Sequence, residues 1–226
     1  AVVDGREPDK LADAIGGFPA VIFSPADAEL VSGAPAERRR FLDVMLSLTS
    51  RPYLSALQRY RAALARRNAA LREVAGGRAD SAVDVWEPAL ADAGAILWRS
   101  RRTWVRTHAE EFASLCSAIG EHGESALRYV TPIDCDDADV EQVLREAFAR
   151  RRALDVQRGM THAGPHRDDV ELTLDGRDLR TFGSAGQQRT AAIALRLLEA
   201  ATLRAAAGAE PIVLLDDPFA ELDQRR

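Results

Sequence analysis

Near its C-terminal end the chain contains the stretch Ile212-Val213-Leu214-Leu215-Asp216-Asp217-Pro218, in which four apolar residues are followed directly by two acids. The apolar run has no alternating polar positions, and this predicts a strand that is covered on both faces in a parallel sheet. Such a strand brings the residues that follow it to the carboxyl edge of the sheet, where α/β folds bind their ligands. The sequence therefore predicts an α/β protein with a candidate site at Asp216 and Asp217.

Two neighbouring carboxylates at that edge suit a divalent cation and a water molecule. We expect Asp216 to contact Mg²⁺, directly or through water, and Asp217 to polarise an attacking water, as in a Walker B strand. Many strands also end in an aspartate that only caps the strand. Taken by itself, the acidic pair leaves both interpretations open.

A second stretch, Ser184-Ala185-Gly186-Gln187-Gln188-Arg189, opens a long helix that is predicted from about Ser184 to Ala207 and closed by Gly208. A hydroxyl group, a glycine and free backbone amides meet there at the positive end of a helix, an arrangement that binds phosphate. A simple helix cap by Ser184 is the alternative. Because this helix directly precedes the acidic strand, the two stretches together resemble the signature and Walker B motifs of ABC ATPases, in the order that those enzymes require.

The middle of the chain is dominated by helical periodicity. An amphipathic helix is predicted from Tyr53 to Val74, and a second apolar stripe runs from Trp86 to Ile119 after the turn signal Gly76-Gly77. The pair predicts a helical arm with many arginines, which could follow a phosphate backbone. The candidate DNA contacts are Arg59, Arg66, Arg67, Arg101, Arg102 and Arg106, together with Arg167 in a later loop. A solvated helix face balanced by acidic residues is the alternative for the arm.

Composition limits the classes of function. The chain has 226 residues and a net charge of −5, which argues against nucleic-acid binding by bulk charge, although local basic patches can still bind. It has no apolar run of about 18 residues and no signal peptide pattern, so we expect a soluble, cytoplasmic protein without a membrane partner. Cys116 and Cys135 lack the paired spacing of a zinc or redox site, which predicts incidental thiols.

Four stretches in a fixed order resemble the RecF family of ABC ATPases. They are Phe23-Ser24-Pro25-Ala26-Asp27 with the following Arg38-Arg39-Arg40-Phe41-Leu42-Asp43, then Gly164-Pro165-His166-Arg167-Asp168-Asp169, then Ser184 to Arg189, and finally Leu214 to Asp223. The helical middle is similar to the family in character more than in residues. The resemblance implies part of an ABC-type ATPase lobe with an inserted α-helical arm.

The resemblance also implies a function. It implies ATP and Mg²⁺ as cofactors and slow, DNA-stimulated ATP hydrolysis. It further implies an ATP-dependent homodimer that binds double-stranded DNA and junctions of single- and double-stranded DNA, and that works with RecR and RecO in loading RecA at gaps. By position, Ser184, Gly186 and Gln187 would bind the ATP held by the opposite subunit. Glu221 and Asp223 would belong to the D-loop, which touches the opposite site.

On this basis we expect three segments. Residues 1–50 would be the remainder of a first ATPase lobe, residues 51–158 the helical arm, and residues 159–226 the part with the signature helix and Walker B strand. The chain lacks the phosphate loop GxxxxGK, and its single lysine, Lys10, has the wrong neighbours for that role. We therefore expect that this polypeptide alone neither binds ATP tightly nor hydrolyses it.

Two other functions stay open from the sequence. One is a non-catalytic helical module that binds DNA or protein. The other is a metal-dependent phosphohydrolase that uses His162, His166 and Asp168. Gly164 and Pro165 disfavour the second, because they prevent the helical turn that would bring the two histidines onto one metal.

Overall fold

The computed structural model describes residues 19–216 except 78, 80, 134 and 135. The elements in chain order are β1 (Ala20–Phe23), a 3-10 turn (Pro25–Ala28), α1 (Glu29–Ser32), α2 (Pro35–Thr49), α3 (Arg51–Ala75), α4 (Ser81–Asp84), α5 (Glu87–Ile119), β2 (Ser125–Val130), α6 (Val140–Arg158), β3 (Asp169–Leu174), β4 (Arg177–Asp178), α7 (Leu179–Phe182), α8 (Ala185–Ala207) and β5 (Ile212–Leu215). The mixture of helices and short strands agrees with the predicted α/β class.

The chain forms two compact units. Unit 1 comprises the described residues of Ala1–Ser50, Val105–Arg128 and Val170–Arg226, and unit 2 comprises those of Arg51–Trp104 and Tyr129–Asp169. α5 contributes residues to both units. The three-segment division made from the sequence stays a prediction.

The strand of a parallel sheet that was predicted at Ile212 to Leu215 is present in unit 1. β1 and β5 run parallel, with Ala20 opposite Ile212 and Phe23 opposite Leu215. Val21 and Phe23 turn inward and pack with Leu203 of α8. The parallel arrangement is therefore confirmed for the acidic strand.

The predicted burial of this strand on both faces is wrong for the described residues. Ile212 to Leu215 are each about half exposed, with relative accessibilities from 49% to 62%. The apolar packing of the pair falls instead on the inward side chains of β1. A continuous apolar run identifies a strand, but it does not show which residues of the chain will cover it.

Both ends of α8 follow the local rules that the sequence suggested. Ser184 is the N-cap, and Gly208 ends the helix in the left-handed conformation at φ 65°, which glycine adopts without steric cost. The helix turns one side into unit 1, where its buried residues include Thr190, Ala191, Ala192, Ala194, Leu195, Leu198 and Leu203. The predicted long helix that starts at Ser184 and closes at Gly208 is confirmed.

The other described sheet has three strands in the order β2-β3-β4. β3 and β4 form an antiparallel hairpin in which Thr173 lies opposite Asp178. The turn is made by Asp175 and Gly176, both with positive φ, as a two-residue hairpin requires. An Asp-Gly pair is a strong sequence signal for such a hairpin, and the structure has one at this position.

Unit 2 contains α3, the first part of α5, and α6, which pack through apolar side chains. Its fully buried residues include Tyr53, Leu71, Leu90, Leu97, Trp98, Leu144 and Phe148. At Gly94 a Cβ atom would lie 3.1 Å from both the Tyr60 ring and a Leu144 methyl, so the absence of a side chain lets the helices approach closely. None of the described helices is long and apolar enough to cross a membrane.

Cys116 is a buried free thiol on α5, as its spacing predicted for an incidental cysteine. Burial raises the pKa of this thiol to about 11, although a hydrogen bond with Ser125 acts in the opposite direction. Because only the thiolate reacts with alkylating agents, the reactive fraction at about pH 8 is on the order of one in a thousand.

We therefore predict that Cys116 of the folded protein resists iodoacetamide at about pH 8 and becomes reactive when urea unfolds the chain. Mass spectrometry of the tryptic peptide that contains Cys116 measures the modified fraction over time, with glutathione as a reference thiol. Modification of Cys116 in the native state as fast as that of glutathione would contradict the prediction.

Candidate functional site

The start of α8 is organised by a reciprocal capping box. The Ser184 hydroxyl accepts a hydrogen bond from the Gln187 backbone N–H at 3.3 Å, and the Gln187 side-chain oxygen accepts one from the Ser184 N–H at 2.9 Å. The pair satisfies two backbone donors that a helix start would otherwise leave open. Ser184 therefore does cap the helix, as the alternative interpretation predicted. The cap does not use all the hydrogen-bond donors at this helix end.

Two amides remain available at this helix end. The N–H groups of Ala185 and Gly186 belong to the first turn, where a helix offers no internal acceptor. Ser184 and Ala185 are exposed, so these donors are open to solvent at the positive end of a 23-residue helix. The geometry fits an anion such as a phosphate.

The segment before the signature helix is held in a fixed position. Asp178 caps α7 by accepting hydrogen bonds from the Arg180 N–H at 3.1 Å and the Thr181 hydroxyl at 2.8 Å. Gln188 of α8 donates to the Leu179 carbonyl at 2.9 Å. These contacts tie α7 to the start of α8 and limit the movement of that helix end.

Asp216 lies at the carboxyl edge shared by β1 and β5. Its N–H donates to the Phe23 carbonyl at 2.8 Å, which extends the parallel ladder by one residue. Its side chain is exposed there. A carboxylate in this place fits an oxygen-coordinated cation such as Mg²⁺. The other acidic residues predicted for this site, Asp217, Glu221 and Asp223, lie outside the described residues.

A cleft of about 520 Å³ near the carboxyl end of β1 was not foreseen from the sequence. It is lined in part by Ser24, Asp27, Arg196 and Glu199. Arg196 donates to the Asp27 carboxylate at 2.7 and 3.1 Å and to the Glu199 carboxylate at 2.7 Å. Burial raises the pKa of Glu199 above its usual value, against the opposing effect of Arg196. The network ties the loop after β1 to α8.

Arg67, predicted to contact DNA, is instead fully buried in unit 2. Its guanidinium group donates to Asp155 at 2.8 Å, to Glu87 at 2.9 Å and to Thr161 at 2.8 Å. The physical reason is its position on the apolar seam of α3, which faces the interior. The assignment of Arg67 as a DNA contact is wrong.

Arg101 is also withdrawn from solvent, with an exposed fraction of 3%. It donates to the Tyr53 hydroxyl at 3.0 Å and to the Pro165 carbonyl at 2.7 Å. Like Arg67, it interrupts an apolar stripe and therefore points inward. Its assignment as a DNA contact is likewise wrong.

The remaining arginine candidates are at least partly exposed, and two of them form ion pairs with carboxylates. Arg59 pairs with Asp92 at 2.7 Å. Arg102 pairs with Asp137 at 2.8 Å and lies over the Trp98 ring. Arg59 is exposed. The other exposed candidates are Arg66, which lies over the Trp86 ring, Arg106 and Arg167. Their contact with DNA stays a prediction.

The three residues of the hypothetical metal site point to different protein partners. The His162 ring contacts Asp155 at 2.8 Å, and Asp168 accepts a hydrogen bond from the Tyr129 hydroxyl. The His166 ring lies 2.6 Å from the Tyr60 hydroxyl and 3.0 Å from a backbone carbonyl. In the part of the chain that the structure describes, no group of three or more His, Cys, Asp or Glu residues could hold a metal ion. This geometry gives the phosphohydrolase hypothesis no support.

The capped signature helix, the parallel strand that ends in an aspartate and the helical unit define an ABC-type ATPase lobe with an inserted helical arm. Within that class, the chain is 42% identical over 218 residues to the DNA replication and repair protein RecF of Herpetosiphon aurantiacus, and 38% identical over 231 residues to that of Heliobacterium modesticaldum. These alignments cover 95% and 100% of the chain. Over nearly its whole length, the chain is therefore similar to RecF proteins.

Solved structures agree with this assignment. The recombination mediator protein RecF of the RecFOR pathway, in its ATPrS and ATP forms, superposes with TM-scores of 0.91 and 0.90 at 28% identity over 99% of the chain. The chain spans 56% and 62% of the length of the two sequence relatives and 61% of each solved chain. No protein-family model matches the chain.

The buried position of Arg67 generates a prediction about stability. Arg67→Ala would leave the Asp155 carboxylate buried without its partner, so we expect a loss of about 3–5 kcal/mol in the free energy of unfolding of unit 2. Urea denaturation followed by circular dichroism measures the change. Arg150→Ala is the control, since its exposed pair with Glu146 is worth at most about 0.5 kcal/mol. Equal effects of the two substitutions would contradict the structural role of Arg67.

Proposed function

We propose that the protein is an ATP-switched, DNA-binding clamp of recombinational repair and replication restart. The observation that carries the proposal is the exposed, positively polarised start of α8. Ser184 and Ala185 are exposed at this end, so a phosphate presented by a second subunit could reach the backbone donors. The names of the relatives, DNA replication and repair protein RecF, and the solved RecF-ATP structure support the same function.

In this clamp, Ser184, Gly186 and Gln187 of one subunit would contact the ATP bound by the other. Because the capping box uses the side-chain oxygen of Gln187, a contact from this residue to phosphate would be made by its Nε2 group. Asp216 would hold Mg²⁺, whose charge offsets that of the phosphate oxygens. Asp217 would orient the attacking water.

The D-loop would add Glu221 and Asp223 to the opposite site. The phosphate loop that binds ATP within one subunit has no counterpart in this sequence, since the chain lacks GxxxxGK. We therefore propose that the chain alone does not hydrolyse ATP, whereas the full-length protein is a slow, DNA-stimulated ATPase.

The proposed partners are double-stranded DNA, junctions of single- and double-stranded DNA, and a second copy of the protein. RecR is the proposed protein partner, with RecO and RecA in the same cytoplasmic pathway. The solved relative is a recombination mediator protein of the RecFOR pathway, which supports these proposed protein partners. A non-catalytic helical module is the second candidate, favoured by the lack of a GxxxxGK motif in this sequence. Such a module would bind DNA or RecR equally with and without ATP.

We predict that Ser184→Arg in the full-length protein abolishes ATP-driven dimerisation and leaves ATP binding unchanged, because the bulky charge blocks a contact made with the other subunit. Analytical ultracentrifugation with MgATP measures dimerisation, and a fluorescent nucleotide measures binding. Ser184→Ala controls for the lost helix cap, worth about 1 kcal/mol, and should dimerise better than the arginine variant. Full dimerisation of Ser184→Arg would overturn the proposal.

The acidic strand gives a separate prediction. Asp217→Asn should preserve the ATP-driven dimer and slow its dissociation, because the amide cannot accept the proton of the attacking water and hydrolysis resets the clamp. Phosphate release and dimer lifetime, followed in parallel after dilution, measure the two effects. A variant that hydrolyses ATP at the wild-type rate would show that Asp217 does not polarise the attacking water.

A further inference from the structure

The loop that follows α6 in unit 2, residues 159–168, is held in place by hydrogen bonds to buried polar groups. Thr161 donates twice to the Asn68 side-chain oxygen, from its N–H at 2.8 Å and from its hydroxyl at 2.7 Å. The same hydroxyl accepts a hydrogen bond from Arg67. His162 is anchored on Asp155 by both its N–H and its ring. These hydrogen bonds restrain the first half of the loop.

The second half is fixed by different residues. The Pro165 carbonyl accepts a hydrogen bond from buried Arg101 at 2.7 Å, and His166 contacts the Tyr60 hydroxyl. Burial raises the pKa of Tyr60 well above its usual value, so this hydroxyl keeps its proton beside the His166 ring. Gly164 has φ 120°, and a Cβ atom there would lie 2.6 Å from the Tyr60 oxygen. Only glycine fits at this point of the loop.

The outward side of the same loop is basic. Arg167 and Met160 are exposed, and a guanidinium nitrogen of Arg167 lies 3.8 Å from the Met160 sulfur. Arg72 lies across Gly159 and donates to its carbonyl at 3.2 Å. Arg158, the last residue of α6, is exposed beside Gly159. We name Arg72, Arg158 and Arg167 the loop arginines.

The loop arginines differ from their neighbours in charge balance. On α6, Arg145 pairs with Glu141 at 2.6 Å, and Arg150 pairs with Glu146 at 3.3 Å. Within the described ranges, none of the loop arginines forms an ion pair with a carboxylate. Arg158 is a positive residue at the C-terminal end of α6, where it interacts favourably with the helix dipole. The dipole does not explain Arg72 or Arg167, which belong to other segments. The surface therefore carries uncompensated positive charge on a fixed backbone.

We infer that the loop arginines form one surface that binds the phosphate backbone of duplex DNA. This inference rests on the proposed DNA-binding function and names its contact residues. Guanidinium groups match phosphate oxygens through paired hydrogen bonds, and exposed side chains can adjust to the spacing of a backbone. Because the loop is already ordered, its binding costs less conformational entropy than the ordering of a mobile segment. Arg67 and Arg101 support this surface and do not touch the DNA.

The test measures DNA binding of the full-length protein with MgATP by fluorescence anisotropy of a labelled duplex over a range of NaCl concentrations. The variants are Arg72→Gln, Arg158→Gln and Arg167→Gln, singly and combined. The matched controls are Arg145→Gln and Arg150→Gln, which remove exposed arginines of α6 that already have carboxylate partners. Thermal melting confirms that each variant is folded.

We expect each loop variant to weaken duplex binding several-fold and to lower the slope of log K against log salt by about 0.9, the value for one lost phosphate contact. The controls should keep both affinity and slope. Unchanged slopes in the loop variants, with a wild-type protein that binds duplex, would overturn this inference alone. Absence of duplex binding by the wild type would overturn the proposed function and this inference together. Loss of RecR binding by the triple variant with intact duplex binding would assign the surface to a protein partner, and would also overturn it.

Discussion

The buried ion pair between Arg67 and Asp155 is the constraint on which the arrangement of unit 2 depends. Removing two charges from water costs several kcal/mol for each ion, and this cost is recovered only when the remaining donors and acceptors are also satisfied. The pair meets the condition because the guanidinium also binds Glu87 and Thr161, while Asp155 also accepts from His162. One requirement, that a buried arginine be fully bonded, thus fixes α3, α6 and the loop after α6 relative to one another.

Unit 1 meets a comparable requirement in another way. The Arg196 network joins α8 to the loop after β1, and the Asp216 N–H joins β5 to the same strand. The start of α8, which carries Ser184, and the end of β5, which carries Asp216, are therefore both positioned relative to β1. In the proposed clamp these two ends act on different nucleotides, and the anchoring of α8 along its length keeps its start in place relative to β5.

Local patterns in the sequence were sufficient for much of the fold. The cap at Ser184, the closing Gly208 and the Asp175-Gly176 turn depend on neighbours within a few residues, and the structure has all three. The pairing of Arg67 with Asp155 spans 88 residues and that of Arg196 with Asp27 spans 169, so no local pattern could reveal the partners. A signal for the first was nevertheless present. An arginine that interrupts an apolar seam is directed inward, and buried hydrogen-bond acceptors must then exist to receive it.

The register of β1 with β5 has a consequence for biosynthesis. Ala20 pairs with Ile212, so the two strands enclose almost the whole described chain between them. Closing so large a loop carries a high entropic cost, and contacts between residues far apart in sequence form late in folding. Unit 2 lies within this interval, and its helices can assemble before the ribosome has added β5. The acidic edge is thus completed after the arginine-rich part of the molecule already exists.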